Sequence, residues 1–158
     1  MIHTEFDTQS QATVTLTTCL LVLNTLMAVT GNSFVCLALY RNRRLRTVTN
    51  LYVLALAIGD IAIAIVFSPF SVISSVLRQW PFGYNFAQFH GYITYVWGGV
   101  TISILALTAI NRYFCIVRPR RYPSLFTKKK VVSSIIFAFI FTLVIGLLAT
   151  LFFPVIYV

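Results

Sequence analysis

Acidic side chains are almost missing from this sequence. Glu5, Asp7 and Asp60 stand against twelve Lys and Arg, and charged residues are only 9% of the 158. So few charges cannot clothe a soluble surface when 59% of the residues are apolar. There is no pair of carboxylates, no His/Cys set at metal-ligand spacing and no phosphate-binding glycine loop, so the usual constellations of an enzyme are lacking. No Asn-x-Ser/Thr sequon occurs, and N-glycosylation is not expected. Cysteine is scarce too: Cys19, Cys36 and Cys115 fall in or at the ends of apolar runs at different depths, which supports no disulfide framework. Cys115 reads better as a small helix-packing residue than as a palmitoylation site. No internal repeat or low-complexity segment is present.

What the chain does have is long apolar runs, over 16–40, 48–77, 85–117 and 131–158. Each exceeds the roughly 20 residues that cross a bilayer's hydrocarbon, so the expected fold is all-α, an integral membrane bundle of four transmembrane helices. Pro69 is the expected kink in the second. All the cations except Arg78 lie between these runs or at their edge. Arg41, Arg43, Arg44 and Arg46 form one cluster; Arg112, Arg118, Arg120, Arg121 and Lys128 to Lys130 form the other. Short basic loops stay cytoplasmic, which predicts both clusters inside, Arg78 outside and residues 1–15 as an extracellular N-terminus. The net charge of +9 therefore reports topology; membrane lipid is the expected partner and nucleic acid is not. Met1 to Gln11 contains no cation, unlike the start of a cleavable signal peptide, so the first helix is its own insertion signal.

Polar groups inside the spans are costly and therefore informative. Asp60 lies midway along the second span, where it should face other helices; a protonated structural Asp and an ion or proton site are equally open readings. At 100° per residue, Thr94, Gly98, Thr101, Leu105, Thr108 and Arg112 fall within roughly 40° of one line down the third span. Bulky Val96, Val100, Leu107, Ile110 and Phe114 lie off it. This small, polar stripe is either a packing seam, for which Gly98-Gly99 would suffice, or a functional inner face. Arg112, at its foot, either serves that face or snorkels to the interface. Asn32 suits an interhelical hydrogen bond. His90, among Phe86, Phe89, Tyr92 and Tyr95, belongs either to an interfacial aromatic belt or to a ligand site.

Four motifs in order resemble the rhodopsin-like (class A) G-protein-coupled receptors. Gly31-Asn32 with Val35 looks like the first-helix signature, and Asn50 with Leu56-Ala57 and Asp60 like the second. Trp80-x-Phe82-Gly83 resembles the first outer loop; Asn111-Arg112-Tyr113 with Ile116, Pro119 and Tyr122 resembles the end of the third helix and the second inner loop. Tyr40-Arg41-Asn42, Leu45-Arg46, Trp80-Pro81 and Ala109-Ile110-Asn111-Arg112-Tyr113 look most like the melatonin-receptor-like branch, with opsin-like relatives next. The resemblance covers helices one to four of a seven-helix receptor.

The resemblance implies roles. Asp60, Asn32 and Thr101 would hold a sodium ion. Asn111, Arg112, Tyr113, Pro119, Arg120 and Tyr122 would face a heterotrimeric G protein, while His90, Thr94, Tyr95 and Gly98 would line the cavity for an extracellular small-molecule or peptide ligand. Ile102 and Leu105 would be transmission packing residues, and a receptor dimer is a further partner. It also exposes departures. Ala87 stands where the family has the cysteine that ties the third helix to the second outer loop. Asn111 replaces the acid beside the Arg, as in melatonin receptors. Thr94 stands where amine receptors carry an Asp, which argues against an amine ligand. Arg120 occupies a position usually apolar, and the fourth span lacks the family's Trp. The run from Phe152 to Val158 has no polar flank, so a receptor's first half is expected here, in the plasma membrane and without signalling competence by itself. The alternatives are a truncated receptor that modulates full-length ones and a four-helix transporter or scaffold subunit.

Overall fold

The computed structural model describes residues 10–152. The expectations for the extreme N-terminus and for 153–158 fall outside that range. Among the described residues four helical stretches, Gln11–Arg41, Asn50–Leu77, Tyr84–Val117 and Lys128–Ala149, are long and apolar enough to cross a membrane.

Helix α1 (Gln11–Arg41) starts where Ser10 Oγ accepts from the Thr13 amide at 3.3 Å, an N-cap that satisfies one orphan donor. It begins earlier than the apolar run because its threonines close onto the helix itself, as Thr15 Oγ1 does by donating to the Gln11 carbonyl at 2.9 Å. At the other end Arg46 folds back from the loop, donating Nε to the Leu39 carbonyl (3.2 Å) and Nη2 to that of Tyr40 (2.6 Å). A cation on those carbonyls caps the negative end of the helix.

The second span is two helices, α2 (Asn50–Val66) and α3 (Ser68–Leu77), that meet at Phe67. Pro69 is the cause: its nitrogen has no proton for the Ile65 carbonyl, and its ring crowds that turn. Arg78, at φ +52°, closes α3. Helix α4 (Tyr84–Val117) is the third span, α5 (Tyr122–Leu125) a short turn in the loop after it, and α6 (Lys128–Phe152) the fourth span.

Helix α1 packs along α2 and α3, α4 packs against α6 and α2, and α6 also reaches α2. The core lies where α2, α4 and α6 meet, with Tyr52, Val96, Val100, Ile104 and Val131 enclosed. Tyr52 is buried to its hydroxyl, which pairs with Ser134 Oγ at 2.9 Å and ties α2 to α6. Gly99 makes the α4–α6 approach possible: a Cβ there would fall 2.4 Å from Thr142 Cγ2. Gly98, its neighbour, meets nothing within 4 Å.

The third span thus buries the face carrying Val96, Val100, Ile104, Thr108 and Asn111. The small polar stripe is mostly on the other side. Thr94, Gly98, Leu105 and Arg112 are exposed and Thr101 is half-buried; Thr108 alone of the six turns inward.

Candidate functional site

At the basic end of the bundle Asn111 is the pivot. It is 0% exposed, and its Oδ1 accepts from Thr49 Oγ1 at 2.7 Å. The Tyr122 hydroxyl lies 3.1 Å from the same Thr49 oxygen. A threonine has one proton to give, and that one goes to Asn111, so Tyr122 is the donor to Thr49. The result is a relay, Tyr122 to Thr49 to Asn111, that joins the short helix α5 to the turn before α2 and to the foot of α4. Asn111 Nδ2 is buried without a partner. Arg112, next in sequence, points away: it is exposed and forms no hydrogen bond or ion pair among the described residues. Tyr113, Pro119 and Arg120 are exposed beside it and Tyr122 is half-buried. The expected transducer residues therefore divide into an exposed set and a buried relay. Thr49, which completes the relay, was not among them; nothing in its sequence neighbourhood marks it.

In mid-span, Asp60 Oδ1 accepts from the Trp97 indole Nε1 at 3.1 Å. Gly59 makes room for that ring, since a Cβ there would lie 1.6 Å from Trp97 Cη2. A cleft of about 290 Å³ opens beside the carboxylate, with Asn24, Thr25 and Ser68 among its lining. The expected companions are not gathered here. Asn32 Nδ2 donates to the Ala28 carbonyl of its own helix at 2.9 Å, and Thr101 bonds to neither Asn32 nor Asp60. A hard cation needs oxygen donors that converge on it. The group on Asp60 is an N–H with no lone pair to offer, so the residues present do not fit a sodium site built from Asp60, Asn32 and Thr101. The glycine beside the acid is the one sequence signal that could have pointed to a bulky partner.

At the opposite end, His90 sits inside an aromatic cluster with Phe67, Phe70, Trp80 and Phe86, its ring 5.2 Å from that of Trp80. Its Nε2 lies 3.1 Å from the Phe67 carbonyl at the α2–α3 break and 3.4 Å from Ser71 Oγ. It faces the second span and is separated from Thr94, Tyr95 and Gly98, which lie exposed on α4. Thr94 Oγ1 is spent on the His90 carbonyl at 2.8 Å.

Four apolar helices with a buried polar relay at the cationic end describe a helical membrane protein. A family model described as 7 transmembrane receptor (rhodopsin family) matches residues 31–155, and the chain belongs to that family. Similar curated proteins include the human histamine H2 receptor, 33% identical over 136 residues, which are 86% of this chain and 38% of that receptor. The octopamine receptor beta-2R of Chilo suppressalis is 36% identical over 114 residues, 72% of this chain and 29% of the receptor. The mouse neuropeptide FF receptor 2 is 31% identical over 110 residues, 70% and 26% respectively. The chain thus spans about a third of the length of the relatives it matches. They are amine and peptide receptors, and the melatonin-like look of the short phrases finds no support among them.

Proposed function

We propose that the chain is the first four spans of a plasma-membrane receptor that senses an extracellular ligand and signals to a heterotrimeric G protein. The observation that carries this reading is the open stripe of α4. Thr94 and Gly98 toward one end and Arg112 at the other are exposed along a single helix, with Ile102, Leu105 and Ile110 exposed between them, while Val96, Val100 and Ile104 are enclosed. A cation within a span is poorly served by lipid, so the Arg112 end of this face calls for more protein and a hydrated cavity. The basic loops mark the cytoplasmic end by their charge, which puts Arg78 and the N-terminus outside.

Arg112 is then the transducer-facing cation, with Tyr113, Pro119 and Arg120 beside it. Asn111, Thr49 and Tyr122 position the inner loop and touch no partner. Thr94, Tyr95 and Gly98 line the ligand side, and His90 packs the outer end. Histamine and octopamine name the ligands of two relatives, but Thr94 offers no anion to an ammonium group; Asp60 is the only acid among the described residues, and it is engaged by Trp97. A ligand other than a biogenic amine fits these residues better.

In the full-length receptor, Arg112→Ala should reduce ligand-driven nucleotide exchange at least tenfold and leave ligand affinity within about twofold, because Arg112 touches nothing that holds the bundle together. Residues 1–158 alone, with the α4 stripe uncovered, should drive no exchange. Robust exchange by the four spans, or an Arg112→Ala receptor with full coupling, would overturn the proposal. If the chain instead lowers the surface expression of a full-length receptor co-expressed with it, the open stripe is serving as a docking face between receptors.

A further inference from the structure

A second cleft, of about 590 Å³, opens on the flank of the bundle at the basic end, between α1, the turn that follows it, α2 and the first residue of α6. Helix α4 contributes nothing to it, so it is separate from the stripe and from the relay. Its walls are apolar, with Leu39, Leu51, Leu54 and Ile58 prominent. Its mouth carries two cations, Arg46 and Lys128. From Leu51 to Ile58 the α2 wall descends about 10 Å at 1.5 Å per residue, so the cleft runs from a charged rim into the apolar part of the span.

Among the described residues the charges at that rim have no protein counter-ion. Asp60 is the one acid among the described residues, and it pairs with Trp97 in mid-span. Arg46 is held in place by the Leu39 and Tyr40 carbonyls and by the Tyr40 ring, 5.9 Å from its guanidinium carbon, but neutral partners leave its charge intact. The Lys128 side chain forms no hydrogen bond or ion pair among the described residues. A neutral lipid would satisfy the walls and leave the rim bare; a soluble anion would satisfy the rim and leave the walls empty. We propose that this cleft is a binding site for an anionic phospholipid of the cytoplasmic leaflet, one acyl chain lying along Leu51, Leu54 and Ile58 and the phosphate-bearing headgroup between Arg46 and Lys128. The site rests on the chain spanning a membrane with its basic end inside, and needs neither ligand nor G protein.

Native mass spectrometry of residues 1–158 in detergent, titrated with phosphatidylserine, phosphatidylcholine or the tail-less headgroup glycerophosphoserine, tests the site. Phosphatidylserine should bind more tightly than phosphatidylcholine, and glycerophosphoserine should not compete with it. Lys128→Gln alters an exposed side chain that bonds to nothing, so the fold stands, and it should weaken phosphatidylserine about fivefold, the factor for one lost juxtamembrane cation. Ile58→Trp, at an exposed wall position, should weaken both phospholipids. Lys129→Gln, one residue on and outside the cleft, should change neither. Equal affinity for the two phospholipids, an unaltered Lys128→Gln, equal losses from Lys128→Gln and Lys129→Gln, or full competition by glycerophosphoserine would each overturn the site.

Discussion

Thr49→Val is the substitution that isolates the inner relay, because it removes one hydroxyl and preserves the shape of the side chain. Asn111 is 0% exposed, its Oδ1 receives a 2.7 Å bond from Thr49, and its Nδ2 already lacks a partner. Water cannot replace the lost donor at a fully enclosed oxygen, so the cost is that of an unsatisfied buried acceptor, about 1–3 kcal/mol. Tyr122 loses its acceptor too, but it is half-buried and can turn to water, which adds under about 1 kcal/mol. The expected destabilisation is about 2 kcal/mol, a factor of about 30 in the folding constant. Thr49→Ser keeps the hydroxyl and should stay within about 0.5 kcal/mol of wild type. Asn111→Leu removes both amide atoms, and in the double variant with Thr49→Val the loss should be smaller than the sum of the two. Reversible unfolding of the chain in mixed micelles, followed by helical circular dichroism, measures all four proteins. If Thr49→Val proves as stable as Thr49→Ser, or the double variant loses the full sum, the relay is not holding the foot of α4.

The Asp60 site yields a steric prediction: Gly59→Ala must displace the Trp97 ring, break the 3.1 Å bond to Asp60 and destabilise the chain, and Trp97→Ala should relieve the clash so that the double variant is no worse than Trp97→Ala alone. A Gly59→Ala chain of wild-type stability and unchanged Trp97 fluorescence would refute it. At the Tyr84 end of α4, His90→Phe should keep the cluster and lose only the hydrogen bonds to the Phe67 carbonyl and Ser71, while His90→Ala should cost about 2–3 kcal/mol through the cavity it leaves among Phe67, Phe70, Trp80 and Phe86. Thermal unfolding of the two variants separates them. In the full-length receptor neither change should shift ligand affinity by more than the stability loss explains.

The existence of the spans was legible because lipid demands long apolar runs, and the basic clusters bounded them. Their ends were less so. Hydropathy starts the first helix at Leu16, but threonines at 13, 15, 17 and 18 are tolerated in a helix when their hydroxyls bond within the bundle, as Thr15 does to the Gln11 carbonyl and Thr18 to Ser75 across to α3. Lysines 128–130 likewise belong to α6, since long cationic side chains can reach water from a helix end. The stripe on α4 was visible as a pattern, but not the direction in which it faces. In water the apolar face of a helix is the buried one. In lipid that asymmetry is lost, because Val96 is as well placed against acyl chains as against Gly146 of α6. Nor did the sequence carry the pairing of Asp60 with Trp97, which depends on how two helices are rotated against each other.

The Tyr84 end of α4 shows how packing can take over a covalent task. Ala87 removes the thiol with which the family fastens this helix, yet the same turn carries Phe86 and His90, and the preceding loop brings Trp80 and Phe82 onto them. Trp80 Nε1 donates to the Gly83 carbonyl at 3.0 Å, and Gly83, at φ +81°, holds the turn that makes this possible. Phe70 completes the cluster from α3, with its ring 4.9 Å from Phe86 and 5.0 Å from Phe82. Aromatic pairs contribute about 0.5–1.5 kcal/mol each beyond the area they bury, and a disulfide about 2–4 kcal/mol. A handful of such contacts therefore matches the stabilisation of the missing bridge. What they fasten is different: a disulfide from this position would anchor α4 to a later loop, whereas the aromatic cluster anchors it to the second span. The Tyr84 end of α4 is thus fixed to the second span by side-chain packing through Phe70, Phe86 and His90.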